Sequence, residues 1–134
     1  MALTAKLQFG DNQAGRYNTE YLLVDCRCSF SRSHNDLRPD GLAHCDCVEV
    51  SLVAPGRDNM MFHDWFINHD ELSGRIVFDL SSTAPDDANP TRILLFEEAR
   101  CFIFEECYDK DTRYRRLLHM AFEADTITME DINF

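Results

Sequence analysis

Apolar and polar side chains alternate with period two along much of this chain, and that spacing decides what it folds into. Between Tyr21 and Phe30, Leu22, Val24, Cys26, Cys28 and Phe30 share one parity. Asp25, Arg27 and Ser29 share the other, the signature of a half-buried strand. Val48, Val50 and Leu52 repeat the pattern, as do Ile76, Phe78 and Leu80, and then Leu118, Met120, Phe122 and Ala124. A weaker alternation marks residues 5–9 as a first strand. The run 92–108 is too long for one regular strand. Leu94 and Phe96 share a parity there, whereas Ala99, Cys101 and Ile103 share the opposite one. A bulge or bend near Glu97-Glu98 keeps both sets on the core side. Ile127 and Met129 change parity again, which predicts a second bulge or a sheet switch.

One stretch breaks the alternation. Met61, Phe62, Trp65 and Phe66 fall at i, i+1, i+4 and i+5, a helical stripe, with Asp58 as the N-cap. About eleven residues near 58–68 give ~16 Å of helix, enough to plug one end of a small barrel. Polar segments at 10–19, 31–43, 81–89 and 108–114 separate the elements. The predicted fold is mostly β: a compact β-barrel of about seven strands with one short α-helix, formed by residues 1–134 as a single domain.

Length and charge narrow the function. A chain of 134 residues buries roughly two-thirds of its unfolded surface and needs neither metal nor disulfides to fold. No apolar run approaches the ~18 residues of a membrane span, and residues 1–9 contain no apolar core of a Sec signal. The expected location is therefore the cytoplasm, where the six cysteines stay free thiols. A net charge of −11 repels phosphate backbones, so nucleic acid is not an expected partner.

The two Cys-x-Cys pairs, Cys26/Cys28 and Cys45/Cys47, hold enough thiols for zinc or an iron–sulfur cluster. Parity argues against it. Cys26 and Cys28 share the face of Val24 and Phe30, whereas Cys45 and Cys47 share that of Glu49 and Ser51, opposite Val48 and Val50. No metal or other cofactor is expected. A nucleophilic pair such as Cys101 with His119 lacks an evident orienting group. Adjacent acids such as Glu97-Glu98 and Glu105-Glu106 point to opposite strand faces and make no carboxylate dyad. No phosphate loop, nucleophile elbow or dinucleotide fingerprint occurs, and no enzymatic activity is expected. A small metal- or ligand-binding barrel using the Cys-x-Cys pairs is the alternative reading.

The order of motifs is more specific. A-K-L-x-F opens the chain, a strand ends in S-F-S-R, and a polar loop carries R-P-D-G. V-E-V-S-L, a helix with D-W-F, Gly74-Arg75-Ile76-Val77-Phe78 and Leu95-Phe96-Glu97-Glu98-Ala99-Arg100-Cys101 follow. This order, from Ala5 to about Met129, resembles the tube protein of type VI secretion systems, the Hcp family, in its short Bacteroidota-type form. The resemblance implies a structural subunit with no catalytic residues to transfer. It implies hexameric rings that stack into a tube, expelled by a contractile sheath without a Sec signal. Spike and sheath proteins are the implied partners, and effectors the cargo of the lumen. It also implies that the loop 31–43 contacts neighbouring copies. Arg38, Pro39, Asp40 and Gly41 would shape that arm, and Leu37 and Leu42 would anchor it.

Overall fold

The computed structural model describes residues 4–32, 34–35, 38–39, 44–56, 58–80, 91–108, 116–129 and 132–133. Among these described residues, nine strands and one helix follow in the order β1 (Thr4–Asp11), β2 (Arg16–Ser31), β3 (His34–Asn35), β4 (Arg38–Pro39), β5 (His44–Val53), α1 (Met61–Ile67), β6 (Leu72–Asp79), β7 (Thr91–Tyr108), β8 (Arg116–Met129) and β9 (Ile132–Asn133). The main sheet runs β5-β2-β1-β6-β7-β8-β9, and β5 also pairs with β8. That last pairing closes six antiparallel strands into a barrel, with β9 as a short addition to β8. The ring therefore has six strands rather than about seven, because β7 and β8 each run unbroken through the bends that sequence would place between separate strands.

Long strands serve two walls. Up to Leu23, β2 lies beside β1; from Leu23 onward it pairs with β5. β7 pairs with β6 over Thr91 to Ala99 and continues beyond it to Tyr108. The change of wall on β7 occurs where expected. Leu72 lies opposite Ala99 and Gly74 opposite Phe96, so Glu97 and Glu98 face Ser73 alone, a β-bulge. Glu98 has φ 54°, and its N–H is taken by Ser73 Oγ at 3.1 Å. The parity change on β8 is the same bend. Phe96 pairs with Ile127 and Ala99 with Ala124, so both strands turn together without a register shift. Leu94, Phe96, Ala99, Cys101, Leu118, Met120, Phe122 and Ile127 are consequently all buried.

Three other bulges correct the parity reading. Val24 is extra between Leu23, opposite Leu52, and Asp25, opposite Ser51. Tyr21 and Leu23 therefore point inward before it and Cys26 and Cys28 after it, while Leu22 and Val24 stand outside at 62% and 49% exposure. Phe30 reaches the rim and is also exposed. Asp46 is extra on β5, which turns Cys45 toward the core and leaves Cys47 outside. Phe102 is extra on β7, which puts Phe104 inside and Ile103 outside, at 40% exposure.

The polar segment 10–19 narrows to a turn at 12–15, in which Gly15 takes φ 67°. Asn12 fastens this turn to the β6–β7 corner. Its Nδ2 donates to Gly74 O at 2.9 Å, Phe96 O at 3.1 Å and Glu97 Oε1 at 3.0 Å. Gly74 is needed for close approach: a Cβ there would stand 2.1 Å from Gln8 O and 2.9 Å from Phe9 Cα. The helix is shorter than its sequence signal. Its N-cap is Met60 rather than Asp58, with no side-chain cap bond, and Asn59 Oδ1 takes the Met61 N–H at 3.1 Å. α1 buries Phe62 and Trp65 as expected, while Phe66 stays partly exposed. Trp65 packs edge-on against Phe9 with centroids 5.5 Å apart and against Phe122 at 5.5 Å, and its Nε1 donates to Ala99 O at 3.0 Å. The segments 81–89 and 109–114 lie outside the described residues.

Candidate subunit interface

Two short strands, β3 and β4, lie in the polar segment after β2 and pair antiparallel. His34 pairs with Pro39 and Asn35 with Arg38, in a two-stranded sheet of its own. Its base is tied where β2 hands over to β5. Ser31 Oγ donates to Asp46 Oδ1 at 2.7 Å, and His44 Nε2 lies 2.9 Å from the same oxygen. Of the six arm residues singled out from sequence, Arg38 and Pro39 form β4; Leu37, Asp40, Gly41 and Leu42 lie outside the described residues.

The outer wall around β1 carries an apolar row and a polar row. Leu22, Lys6, Val77 and Ile93 are successive cross-strand partners on β2, β1, β6 and β7. The next row is Glu20, Gln8, Arg75 and Leu95. Gln8 Nε2 donates to Glu20 Oε1 at 2.6 Å, and Arg75 Nε donates to Gln8 Oε1 at 2.6 Å while its guanidinium sits 4.1 Å over the Tyr17 ring. Lys6 of the first row lies 4.0 Å from Glu20 of the second, so the ion pair of this wall runs across the two rows. Sequence reasoning missed Leu22 because it was assigned to the core.

Where α1 meets β7, Phe66 stacks on Phe104 at 5.9 Å. Beside it, Glu106 collects three donors: Tyr108 Oη at 2.6 Å, Arg116 Nη2 at 3.0 Å, and His63 Nε2. In that order they hold its carboxyl down at about 2. The cluster joins α1 to the ends of β7 and β8 as a fixed ionic anchor.

The chemical candidates fall apart in three dimensions. Cys101 faces the core, where burial pushes its thiol up to about 11. His119 pairs with Ser51 and Glu105 on the other side of the wall and hydrogen bonds Ser51 Oγ at 2.9 Å. The pair cannot act together. Asp125 beside Glu98, with the charge of Glu71, raises the Glu98 carboxyl above the usual range. Cys26, Cys28 and Cys45 pack against the core, whereas Cys47 is on the Glu49 side, opposite Ser29. The expected opposition of the two pairs thus holds for Cys47 and fails for Cys45, which the Asp46 bulge turns inward. Among the described residues, no three His, Cys, Asp or Glu side chains are placed to hold a metal ion.

Comparison with known proteins converges on one family. The sequence model described as "Hemolysin coregulated protein Hcp (TssD)" matches residues 1–134. No curated protein matches the chain by sequence. Among solved structures, Hcp1 from Flavobacterium johnsoniae is similar at 17% identity and TM-score 0.71, over 100% of this chain and 98% of that one. Hcp1 from Salmonella typhimurium is similar at 11% identity and TM-score 0.67, over 100% and 92%. A chain of the anti-feeding prophage baseplate, a structure described as 6-fold symmetrised, is similar at 8% identity and TM-score 0.50, over 95% and 91%.

Proposed function

The chain belongs to the Hcp (TssD) family and is a tube subunit of a type VI secretion system; on that premise we propose that six copies close into a ring and that rings stack into the expelled tube. The observation that carries the reading is the family match over all of residues 1–134, joined to a closed barrel of the same fold as two Hcp1 structures. The sixfold description of the similar baseplate chain supports six as the ring number. Residues 1–134 act as one Hcp-like barrel domain.

The role is structural, and the chain is not an enzyme. The arm built on Leu37, Arg38, Pro39, Asp40, Gly41 and Leu42 carries contacts between copies or rings. The β3–β4 pairing and the exposed Leu22 on the outer wall support that division of labour. Sheath and spike proteins are the remaining partners, with effectors as cargo in the lumen. The net charge of −11 speaks against nucleic acid in that lumen. Among the described residues no helix is long and apolar enough to cross a membrane, consistent with a subunit made in the cytoplasm and exported by the system itself. Electron microscopy of the purified chain tests the reading: annular particles with sixfold averages support it, and a monomer at all concentrations refutes it.

A further inference from the structure

We propose that Arg27 of one copy pairs with Glu105 of the next, where β7 of that next copy runs antiparallel beside β2 of the first. The inference rests on the ring reading above and adds which segments and which charges meet.

One wall of the barrel has two open edges. β2, β5, β8 and β7 are joined in that order, through Cys26 opposite Val50, Val50 opposite Met120 and Met120 opposite Phe104. β1 accompanies β2 only as far as Leu23, and β6 meets β7 only up to Ala99. Among the described residues, 24–31 of β2 and 100–108 of β7 therefore have a strand on one side only. The helix does not fill the second gap, because α1 sets His63 and Phe66 against Phe104, which packs toward the core. Long bare edges associate unless something blunts them. Here apolar side chains are exposed along both: Val24 and Phe30 on β2, and Phe102, Ile103 and Tyr108 on β7. The two edges run in opposite directions, so a rotated copy brings β7 antiparallel to β2. They are also different segments, so the contact is head-to-tail and repeats until a ring closes.

Charge selects the register. Asp25, Ser51, His119 and Glu105 form one cross-strand row, and Arg27, Glu49, Ala121 and Ile103 form the next. Joining copies row to row would set Glu105 beside Asp25, two like charges. A one-residue offset would turn the side chains to the wrong face. A two-residue offset keeps the faces, supplies the stagger that a closed ring of tilted strands needs, and sets Glu105 beside Arg27. Both side chains are exposed, and among the described residues neither has an ion-pair partner within its own copy.

Charge reversal on the full chain tests the pairing, with assembly read by light scattering and electron microscopy at low salt. Arg27→Glu and Glu105→Arg should each raise the concentration for half-assembly at least ~10-fold, and the double variant should return to within ~3-fold of wild type. Glu105→Arg is the sharper case. It lowers the net negative charge, so repulsion alone predicts stronger assembly where the pairing predicts weaker. Wild-type rings with either single variant unimpaired overturn the proposal alone, as does a double variant no better than the singles. A wild type that forms no rings fails the tube reading itself, and the proposal with it. If a variant does not fold, hydrogen exchange on the wild type decides. Amides in 24–31 and 100–108 should gain protection together as rising concentration turns monomer into ring; a gain in neither segment, or in one alone, overturns the pairing.

Discussion

Truncating Trp65 tests whether α1 is part of the barrel's core or only rests against it. Trp65 is 1% exposed, touches Phe9 and Phe122 at 5.5 Å each, and donates to Ala99 O at 3.0 Å. A helix of seven residues has little stability of its own, so these contacts hold it. Trp65→Ala removes the ring and leaves the Ala99 carbonyl without its donor, at about 4 kcal/mol. For 134 residues the unfolding entropy is about 0.28 kcal/mol/K, so Tm should fall by ~14 °C. Trp65→Phe keeps the aromatic packing and loses the N–H; it should cost about 1–2 kcal/mol, or ~4–7 °C. Ile67→Ala on the same helix, at a site 66% exposed, should shift Tm by no more than ~2 °C. Thermal unfolding followed by circular dichroism measures all three. Because this is the chain's single tryptophan, wild-type emission should also be blue-shifted. A Trp65→Ala shift under ~4 °C, or one no larger than that of Ile67→Ala, refutes the packing argument.

Three further outcomes are expected. Replacing residues 37–42 with a short Gly-Ser link should leave circular dichroism native-like and weaken ring or stack formation; unfolding would place the arm in the core, and unchanged assembly by electron microscopy would remove its role. Glu98→Asn should raise Tm at pH 7 by about 2–4 °C, because asparagine tolerates φ 54° and the charge beside Asp125 is gone. Since the folded-state carboxyl of Glu98 is raised, its favourable contribution is full below the ordinary carboxyl value and lost as pH rises, so the gain should shrink at pH 4; an equal gain at both pH values contradicts this. Raised salt should strengthen or preserve ring assembly, since six chains of net charge −11 repel and the Debye length is near 10 Å at 0.1 M; dissociation by moderate salt would mean that ion pairs dominate the contact.

The residues explain which parts of the fold were legible in sequence. The bend at Glu97-Glu98 could be read because unambiguous apolar sets, Leu94/Phe96 and Ala99/Cys101, flank it with opposite parity. The bulge at Val24 could not. Tyr21-Leu22-Leu23-Val24 is apolar at both parities, so alternation alone does not choose a face. Phe102-Ile103-Phe104 hides the third bulge in the same way. Cys45 is small and tolerates either side of a wall, so its turn inward left no mark in the pattern. The arm was visible by its length and polarity. Its two paired strands were not, because two-residue strands are too short to show a period. The apolar row through Leu22 became a candidate surface only once register placed Leu22 beside Lys6 and Val77.

Solution mass joined to particle images is the most direct test of the tube-subunit account. Light scattering on the purified chain, across a concentration series, should give six times the 15.6 kDa chain mass, and the same sample should show annular particles of sixfold symmetry by electron microscopy. A single 15.6 kDa species with no rings at any concentration or salt would contradict it.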